Sequence, residues 1–236
     1  MLPREAHWFA RQIAELPAAD IFPMLDVGSQ REDVRRAVQP WVDRDLFDPF
    51  KRRGHVVRHL DLEAGPGVDL VGDLADPVFR AGLSALGFRS VVCCNLLEHV
   101  PDRTEIARAL AALVPAGGYL FVSVPNRYPY HPDPIDTLFR PGPAELAALF
   151  PGTRVRRQAV LRCGTLAGYV LARLAHSPAA FIREVAGGGR RPRTHAPPEP
   201  RPSRLRFLPW LVRPFKVTCL VLQKEPSTAD RAAAGG

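Results

Sequence analysis

Residues 90–126 restrict the possible folds of this chain more than any other segment. Two apolar runs, 91–94 and 119–124, flank a stretch with the residue spacing of an amphipathic helix. The chain enters the second run through the Pro-Ala-Gly-Gly sequence of residues 115–118, which is typical of a turn. This pattern predicts a β-α-β unit, whose two strands are parallel because a helix connects them.

Strand and helix patterns alternate along most of the chain. Strands that alternate with helices at this spacing favour an α/β fold with a doubly wound, mostly parallel sheet, which binds its ligand at the carboxyl ends of the strands. The predicted strands are residues 21–27, 56–62, 68–71, 90–94, 119–124, 155–162 and 217–223, and the predicted helices are residues 8–16, 29–39, 77–87, 102–113 and 143–149.

The length of 236 residues and the apolar content of 46% favour one buried core over two. We expect a single domain over residues 1–236. Its core comprises about 20–162 and the last strand, 217–223, with an insertion at about 165–214 and a disordered tail at 226–236. Four cysteines without C-x-x-C spacing, and the lack of a signal pattern or a membrane-length apolar run, indicate a cytoplasmic protein.

The net charge of +8 is unevenly distributed. Residues 151–216 contain 14 Lys and Arg against two acids, a charge of +12, which leaves −4 for the rest of the chain. Such a segment could attract an anionic small molecule, nucleic acid or an anionic membrane surface. Its Pro-rich centre, residues 187–206, could equally be a solvated, disordered loop.

The apolar spacing within the insertion favours a cover over the substrate side, and its arginines suggest an anionic or lipid-like acceptor. Peripheral membrane contact through residues 165–215 is the alternative. Nucleic acid is disfavoured because the arginines alternate with prolines rather than with aromatic residues that could stack on bases.

A glycine and several polar residues lie at the ends of the predicted strands. Asp26 and Gly28 end the first strand, Asp61 the second, Asp73 follows the third and Asn95 the fourth. A carboxylate at a strand end can accept both hydroxyl groups of a ribose, and a glycine lets a ligand approach the backbone closely. Each residue alone could be a turn or cap residue, but the series predicts a nucleoside cofactor.

The sequence Leu-Leu-Glu-His-Val-Pro-Asp after Asn95, followed by the Gly-Gly turn, resembles the class I S-adenosylmethionine-dependent methyltransferases, specifically the type 11-like group. Residues 25–28, Leu-Asp-Val-Gly, resemble the first motif of this family, but Gln30 and Glu32 stand where the family has further glycines. The resemblance covers about residues 25–150. It implies a seven-stranded Rossmann-like sheet with an antiparallel last strand and S-adenosylmethionine as the cofactor.

The resemblance also implies roles for individual residues. Asp61 would bind the ribose, Asp73 the adenine amino group, and Asn95 would lie at the methionine portion. Glu98 and His99 would brace the site at the start of the following helix. The full set of cofactor-binding residues predicted in this way is Asp26, Gly28, Ser29, Asp61, Asp73, Leu74 and Asn95.

The proline-rich loop at residues 126–141 is the predicted place of catalysis. His131 has a pKa suited to proton transfer near neutral pH, and Asp133 or Asp136 could orient its ring. A similar His-x-x-Pro-x-Asp-x-x-x-Arg arrangement occurs in some type 11-like methyltransferases. The alternative is a structural brace formed by His131, Asp136 and Arg140. The predicted substrate-binding residues are Tyr128, Tyr130 and Arg140.

These observations predict a methyltransferase that acts at oxygen or nitrogen of a small or lipid-like acceptor. A non-catalytic binding protein is the alternative, because two of the family's glycines are absent. A nicotinamide-dependent oxidoreductase is disfavoured, since the turn after Gly28 lacks the G-x-G-x-x-G pattern. No Cys, His or carboxylate cluster has metal-ligand spacing in the sequence, so no metal site is predicted.

Overall fold

The computed structural model describes residues 1–131, 135–176 and 204–226, without the side chains of 172–176 and 204–206. Asp133, most of the Pro-rich segment 187–206 and nearly all of the predicted tail therefore lie outside the described residues. The strands are β1 (Met24–Val27), β2 (Val57–Asp61), β3 (Leu70–Val71), β4 (Ser90–Cys94), β5 (Tyr119–Arg127), β6 (Thr153–Arg162) and β7 (Lys216–Lys224).

Helices precede, separate and follow the strands. Two π-helical segments, Val34–Val38 and Val42–Phe47, lie between β1 and β2, and 3₁₀-helices occur at Leu97–His99 and Arg204–Leu211. The α-helices are α1 (Pro3–Ala14), α2 (Ala18–Ile21), α3 (Asp48–Lys51), α4 (Pro77–Ser84), α5 (Arg103–Ala112), α6 (Pro143–Ala148) and α7 (Leu166–His176).

The seven strands form one sheet in the order β3-β2-β1-β4-β5-β7-β6. Neighbouring strands from β3 to β5 are parallel, whereas β7 pairs in antiparallel fashion with both β5 and β6. The predicted fold, including the antiparallel last strand, is confirmed. From β1 the chain first adds β2 and β3 on one side of the sheet and then adds β4 on the other side of β1. Doubly wound folds bind ligands at such a switch in strand order.

Two apolar layers, one on each face of the sheet, form the core. Leu120 and Val122 of β5 belong to the layer under α4, α5 and α6, whereas Tyr119 and Phe121 belong to the layer under α1 and the π-helical segments. This alternation follows from the two-residue period of a strand. Because β4 and β5 are covered on both faces, they are continuous apolar runs in the sequence.

The region after β1 differs from the prediction of a helix over residues 29–39. Gly28 and Gln30 have positive φ angles of 71° and 61°, which a right-handed helix does not allow. The chain therefore forms a loop first and is helical over residues 32–38, of which Val34–Val38 are π-helical. β1 is also shorter than the strand predicted at 21–27. α2 extends to Ile21, and Pro23 has no N–H to donate to the sheet.

The edge strand β6 is mostly exposed. Arg154, Arg156, Arg157 and Arg162 all lie on it with exposed side chains. Its pairing with β7 contains an irregularity between Val155 and Arg157. Four cations of the basic segment thus belong to regular structure at the border of the sheet.

No helix among residues 1–131, 135–176 and 204–226 combines the length and apolar character needed to cross a bilayer.

Candidate functional site

A cavity of about 200 Å³ opens at the carboxyl ends of β1, β4 and β5. Parallel strands place their last residues at the same edge of the sheet, so residues distant in sequence meet there. Among the residues predicted for the site, the cavity is lined by Asp26, Gly28, Ser29, Asn95, Tyr128 and His131. The turn after β1 and the proline-rich loop therefore share one cavity.

Gly28 occupies a position that has little room for a side chain. A Cβ built on this residue would stand 3.3 Å from Leu96 Cδ1, and the φ angle of 71° is one that side-chain-bearing residues rarely adopt. Asp61 lies at the end of β2, where its Oδ2 accepts a hydrogen bond of 2.7 Å from the backbone N–H of Gln30. This bond joins the end of β2 to the loop after β1. Asp61 is not among the residues that line the cavity, and its contact with a ribose stays a prediction.

Arg35 holds the loop after β1 in place. This buried side chain donates from Nε to Asp43 Oδ1 at 3.0 Å and from Nη2 to the carbonyl oxygen of Gly67 at 2.8 Å. Its Nη1 donates to the carbonyl oxygens of Ser29 and Gln30. The clamp explains how Gln30 keeps a positive φ angle where the family has glycine.

Asp26 is held by two residues that the sequence analysis did not select. His59 lies opposite it on β2, and His59 Nδ1 donates to Asp26 Oδ2 at 2.9 Å. Lys51 Nζ donates to His59 Nε2 at 2.8 Å, which places the ring proton on Nδ1. A buried carboxylate with this support can face a positively charged ligand group without moving.

Asn95 is oriented by the N-terminal helix. Its Nδ2 donates to Glu5 Oε1 at 2.9 Å, and Ser123 Oγ donates to the same oxygen at 2.5 Å. Glu5 is fully buried, and Leu2 lines the cavity. α1 therefore closes one side of the site.

Asp73 and Leu74 are not among the residues that line the cavity. Asp73 Oδ1 accepts from the backbone N–H of Ala75 at 2.8 Å, as a turn residue does, and Leu74 is buried in the core layer under α4. Their contact with an adenine stays a prediction.

Asp136 organises the proline-rich loop. Arg140 donates to both of its oxygens, at 3.0 and 2.6 Å, and the backbone N–H groups of His131 and Leu138 donate to it as well. Burial alone would raise the pKa of Asp136, but these donors lower it to about 2. Arg140 is thus engaged in a brace of the loop, while its predicted contact with substrate stays a prediction.

His131 faces the cavity that Gly28 and Asn95 line. Its Nδ1 donates to the carbonyl oxygen of Pro129 at 3.0 Å and lies 3.2 Å from Asp136 Oδ2, so the lone pair is on Nε2. Burial lowers the pKa of His131 from its ordinary value. This orientation is compatible with the predicted base role, which stays a prediction.

Glu98 and His99 lie beside His131. Glu98 Oε1 is 3.6 Å from His99 Nε2 and 4.0 Å from His131 Nε2. Burial raises the pKa of Glu98 to about 8. The two residues also brace the loop, because the carbonyl oxygen of Glu98 accepts from the Thr137 backbone N–H at 2.9 Å and His99 Nδ1 donates to the carbonyl oxygen of Ile135 at 2.5 Å.

Comparison with known families agrees with this geometry. The model of a methyltransferase domain family matches residues 6–160, which is more than half of the chain. The chain belongs to this methyltransferase family. The expected class I methyltransferase fold and S-adenosylmethionine as the cofactor are thereby confirmed.

Curated relatives of this methyltransferase chain match it over shorter segments. A ubiquinone biosynthesis O-methyltransferase of Xanthomonas axonopodis pv. citri is 46% identical over 78 residues, which are 31% of this chain and 30% of that protein. The protein of the same name from Bordetella avium is 35% identical over 108 residues, 45% of this chain and 44% of that protein. The chain thus matches less than half the length of these relatives.

Solved structures share the fold at low sequence identity. One, described as a sarcosine dimethylglycine methyltransferase from Galdieria sulphuraria, is 12% identical, with a TM-score of 0.54, over 95% of this chain and 85% of that chain. Coclaurine N-methyltransferase, bound to N-methylheliamine and S-adenosylhomocysteine, is 13% identical, with a TM-score of 0.51, over 94% of this chain and 70% of that chain.

An aromatic cluster lies next to the methyltransferase cavity and reaches it through Tyr128. Tyr128 lines the cavity, its pKa is raised by burial, and its ring centroid is 4.8 Å from that of Phe215. Tyr169 of α7 and Trp210 pack on the other sides of Phe215, at 5.9 and 5.7 Å. The described part of the insertion therefore lies one aromatic layer from the cavity. Tyr130 is half-buried but is not among the lining residues.

Proposed function

We propose that this protein transfers a methyl group from S-adenosylmethionine to an oxygen atom of a small molecule with an apolar, lipid-like part. The observation that carries the proposal is the single cavity shared by the cofactor loop at Gly28 and the loop residues Tyr128 and His131. Methyl transfer requires donor and acceptor to be held close together and aligned, and a cavity lined by both loops places the two binding regions side by side.

The residues present fit the cofactor. S-adenosylmethionine supplies, when bound, an electrophilic methyl group on a positively charged sulfur. Asp61 would accept the ribose hydroxyl groups, and the Cβ-free backbone of Gly28 would let the methionine portion approach. Asp26, fixed by His59, would offer a negative charge on the same side. Asn95 would hold the ligand's polar end in an orientation that Glu5 determines.

Oxygen rather than nitrogen is proposed as the methylated atom because the curated relatives carry the name O-methyltransferase. The apolar character of the acceptor is inferred from Tyr128, which lines the cavity and is backed by the buried ring of Phe215. The exposed arginines of the basic segment are compatible with an anionic group on the acceptor, but they lie on β6 rather than among the lining residues.

Calorimetric titration with S-adenosylmethionine and with S-adenosylhomocysteine tests the proposal. We expect both to bind at one site per chain, and turnover of phenolic acceptors to follow in a panel of small aromatic alcohols with and without alkyl chains. Failure of both ligands to bind would refute the enzyme function. Binding without turnover of any acceptor would favour the non-catalytic alternative.

Replacing Asp61 with asparagine is expected to weaken S-adenosylmethionine binding about tenfold or more, because a carboxylate accepts hydroxyl hydrogen bonds more strongly than an amide does. Asp33→Asn is the matched control, since Asp33 is exposed and bonds to its neighbour Arg31. Both affinities are measured by calorimetry. Equal affinities of the two variants would remove Asp61 from the cofactor site.

A further inference from the structure

Three side chains beside the cavity bring atoms that carry lone pairs close to one another. Glu98 and His99 follow β4, whereas His131 comes from the proline-rich loop 32 positions further along the chain. One oxygen of Glu98 and one nitrogen of each histidine lie within 4.8 Å of one another. His99 and His131 line the cavity, and Glu98 lies behind them.

Hydrogen bonds fix which ring nitrogens converge. His99 Nδ1 donates to the carbonyl oxygen of Ile135, and His131 Nδ1 donates to that of Pro129, with Asp136 Oδ2 at 3.2 Å. In both neutral rings the proton is therefore on Nδ1 and the lone pair on Nε2. These Nε2 atoms are the ones that lie 3.6 and 4.0 Å from Glu98 Oε1.

Glu98 lacks a hydrogen-bond donor within the described part of the chain. Its side chain is 0% exposed, and both carboxyl oxygens are without a partner there. Arg140 is committed to Asp136 by two bonds. A buried carboxyl group without a hydrogen-bond partner is unfavourable in either protonation state, and the two histidine lone pairs that face Glu98 leave its oxygens without a donor. A cation among the three atoms would give them a partner.

We propose that Glu98, His99 and His131 bind one divalent transition-metal cation of the Zn²⁺ type. Two imidazoles and one carboxylate suit Zn²⁺ better than Mg²⁺ or Ca²⁺, which prefer oxygen ligands. Ligands about 2.0–2.1 Å from Zn²⁺ in tetrahedral geometry are about 3.3 Å apart, so the observed 3.6 and 4.0 Å require a small inward shift.

The surroundings of the cluster support this assignment. A metal-binding histidine usually donates its other ring N–H to a carbonyl or carboxylate oxygen, and both histidines do so here. Asp136 thereby acquires a role as a positioning residue for His131. A bound cation would also join the loop to the end of β4.

Three protein ligands leave at least one coordination position open, as in catalytic zinc sites. Because His99 and His131 line the cavity, this position would face the acceptor, and the cation would lower the pKa of an acceptor hydroxyl group. This consequence rests on the proposed function, whereas cation binding does not. His131 would then act as a ligand rather than as the base, because Nε2 has only one lone pair.

Titration of the chelator-treated full chain with ZnCl₂ and, separately, with MgCl₂ tests the proposal by calorimetry. We expect one Zn²⁺ per chain and at least tenfold weaker binding of Mg²⁺. Glu98→Gln and His131→Ala are expected to weaken Zn²⁺ binding at least tenfold. His7→Ala is the control, since His7 is 62% exposed and lies beside Asp45 instead; its affinity should equal that of the unmodified chain.

Absence of Zn²⁺ binding, or unchanged Zn²⁺ affinity in the Glu98→Gln and His131→Ala variants, would overturn the proposal. Thermal unfolding of each variant checks that it is folded, and His99→Asn replaces any variant that is not. Visible absorption of the Co²⁺-loaded chain gives a second readout, expected to disappear when Zn²⁺ is added. S-adenosylmethionine binding, measured on the same metal-free samples, reports on the proposed function separately.

Discussion

Replacement of Arg35 with methionine is expected to lower the free energy of unfolding by about 3–5 kcal/mol. The substitution leaves Asp43, which is 2% exposed, with a buried charge and without its nearest partner. It also removes the donors to the carbonyl oxygens of Gln30 and Gly67. Urea unfolding followed by circular dichroism measures the loss.

Arg44→Ala is the matched control for this experiment. Arg44 also bonds to an aspartate, but its side chain is 66% exposed and the partner is its neighbour Asp45. Exposed ion pairs contribute about 0–1 kcal/mol, so this variant should be nearly as stable as the unmodified chain. Similar losses for the two variants would contradict the clamp. The Arg35 variant is also expected to bind S-adenosylmethionine more weakly, because the loop that carries Gly28 loses its support.

Replacement of Gly28 with valine is expected to weaken S-adenosylmethionine binding about 10- to 100-fold. The added side chain would collide with Leu96 and enter the space where the ligand meets the backbone, and such overpacking costs about 1–3 kcal/mol. Calorimetric titration of the purified variant gives the affinity.

Gly54→Val separates this effect from backbone strain. Gly54 also has a positive φ angle, 84°, but apart from its chain neighbours no atom of the described residues lies within 4 Å of a Cβ built there. Both variants should lose about 1–2 kcal/mol of stability to backbone strain, because both place a β-branched residue in the left-handed region, and the contact with Leu96 adds to the loss in the Gly28 variant. Only the Gly28 variant should lose affinity for the cofactor. If the Gly54 variant lost it equally, the effect would be global rather than local.

The sequence was most informative where local pattern and tertiary environment agree. β4 was predicted with its observed bounds, since a strand buried on both faces is a short, uninterrupted apolar run. The helices at 102–113 and 143–149 were correct to within one residue at each end, because Asp102 caps α5 and Pro143 starts α6.

The sequence was less informative where distant residues determine the local structure. The π-helical segments after β1 depend on the bonds that Arg35 makes to residues 29, 30, 43 and 67, and nothing in the local pattern indicates them. His59 had one available signal, since it lies two residues before Asp61 and so shares its face of β2.

The cluster of Glu98, His99 and His131 shows the same limit. No short motif of the sequence has metal-ligand spacing, and His131 reaches the other two residues through the loop that follows β5. Asp26, Gly28, Ser29 and Asn95 line one cavity, because strand ends of a parallel sheet meet at one edge, and their contact with the cofactor stays a prediction. Sequence order identified the strand ends but not the contacts between loops.

The exposed arginines of β6 have a consequence for self-association of the protein. A ten-residue border strand carries unpaired backbone groups along one side and is a template for the addition of another chain. Arg154, Arg156 and Arg157 repel a second copy of the same strand, which protects the sheet from growing into an aggregate. Part of the basic charge is thereby explained without any ligand, and high salt, which screens this repulsion, should favour precipitation.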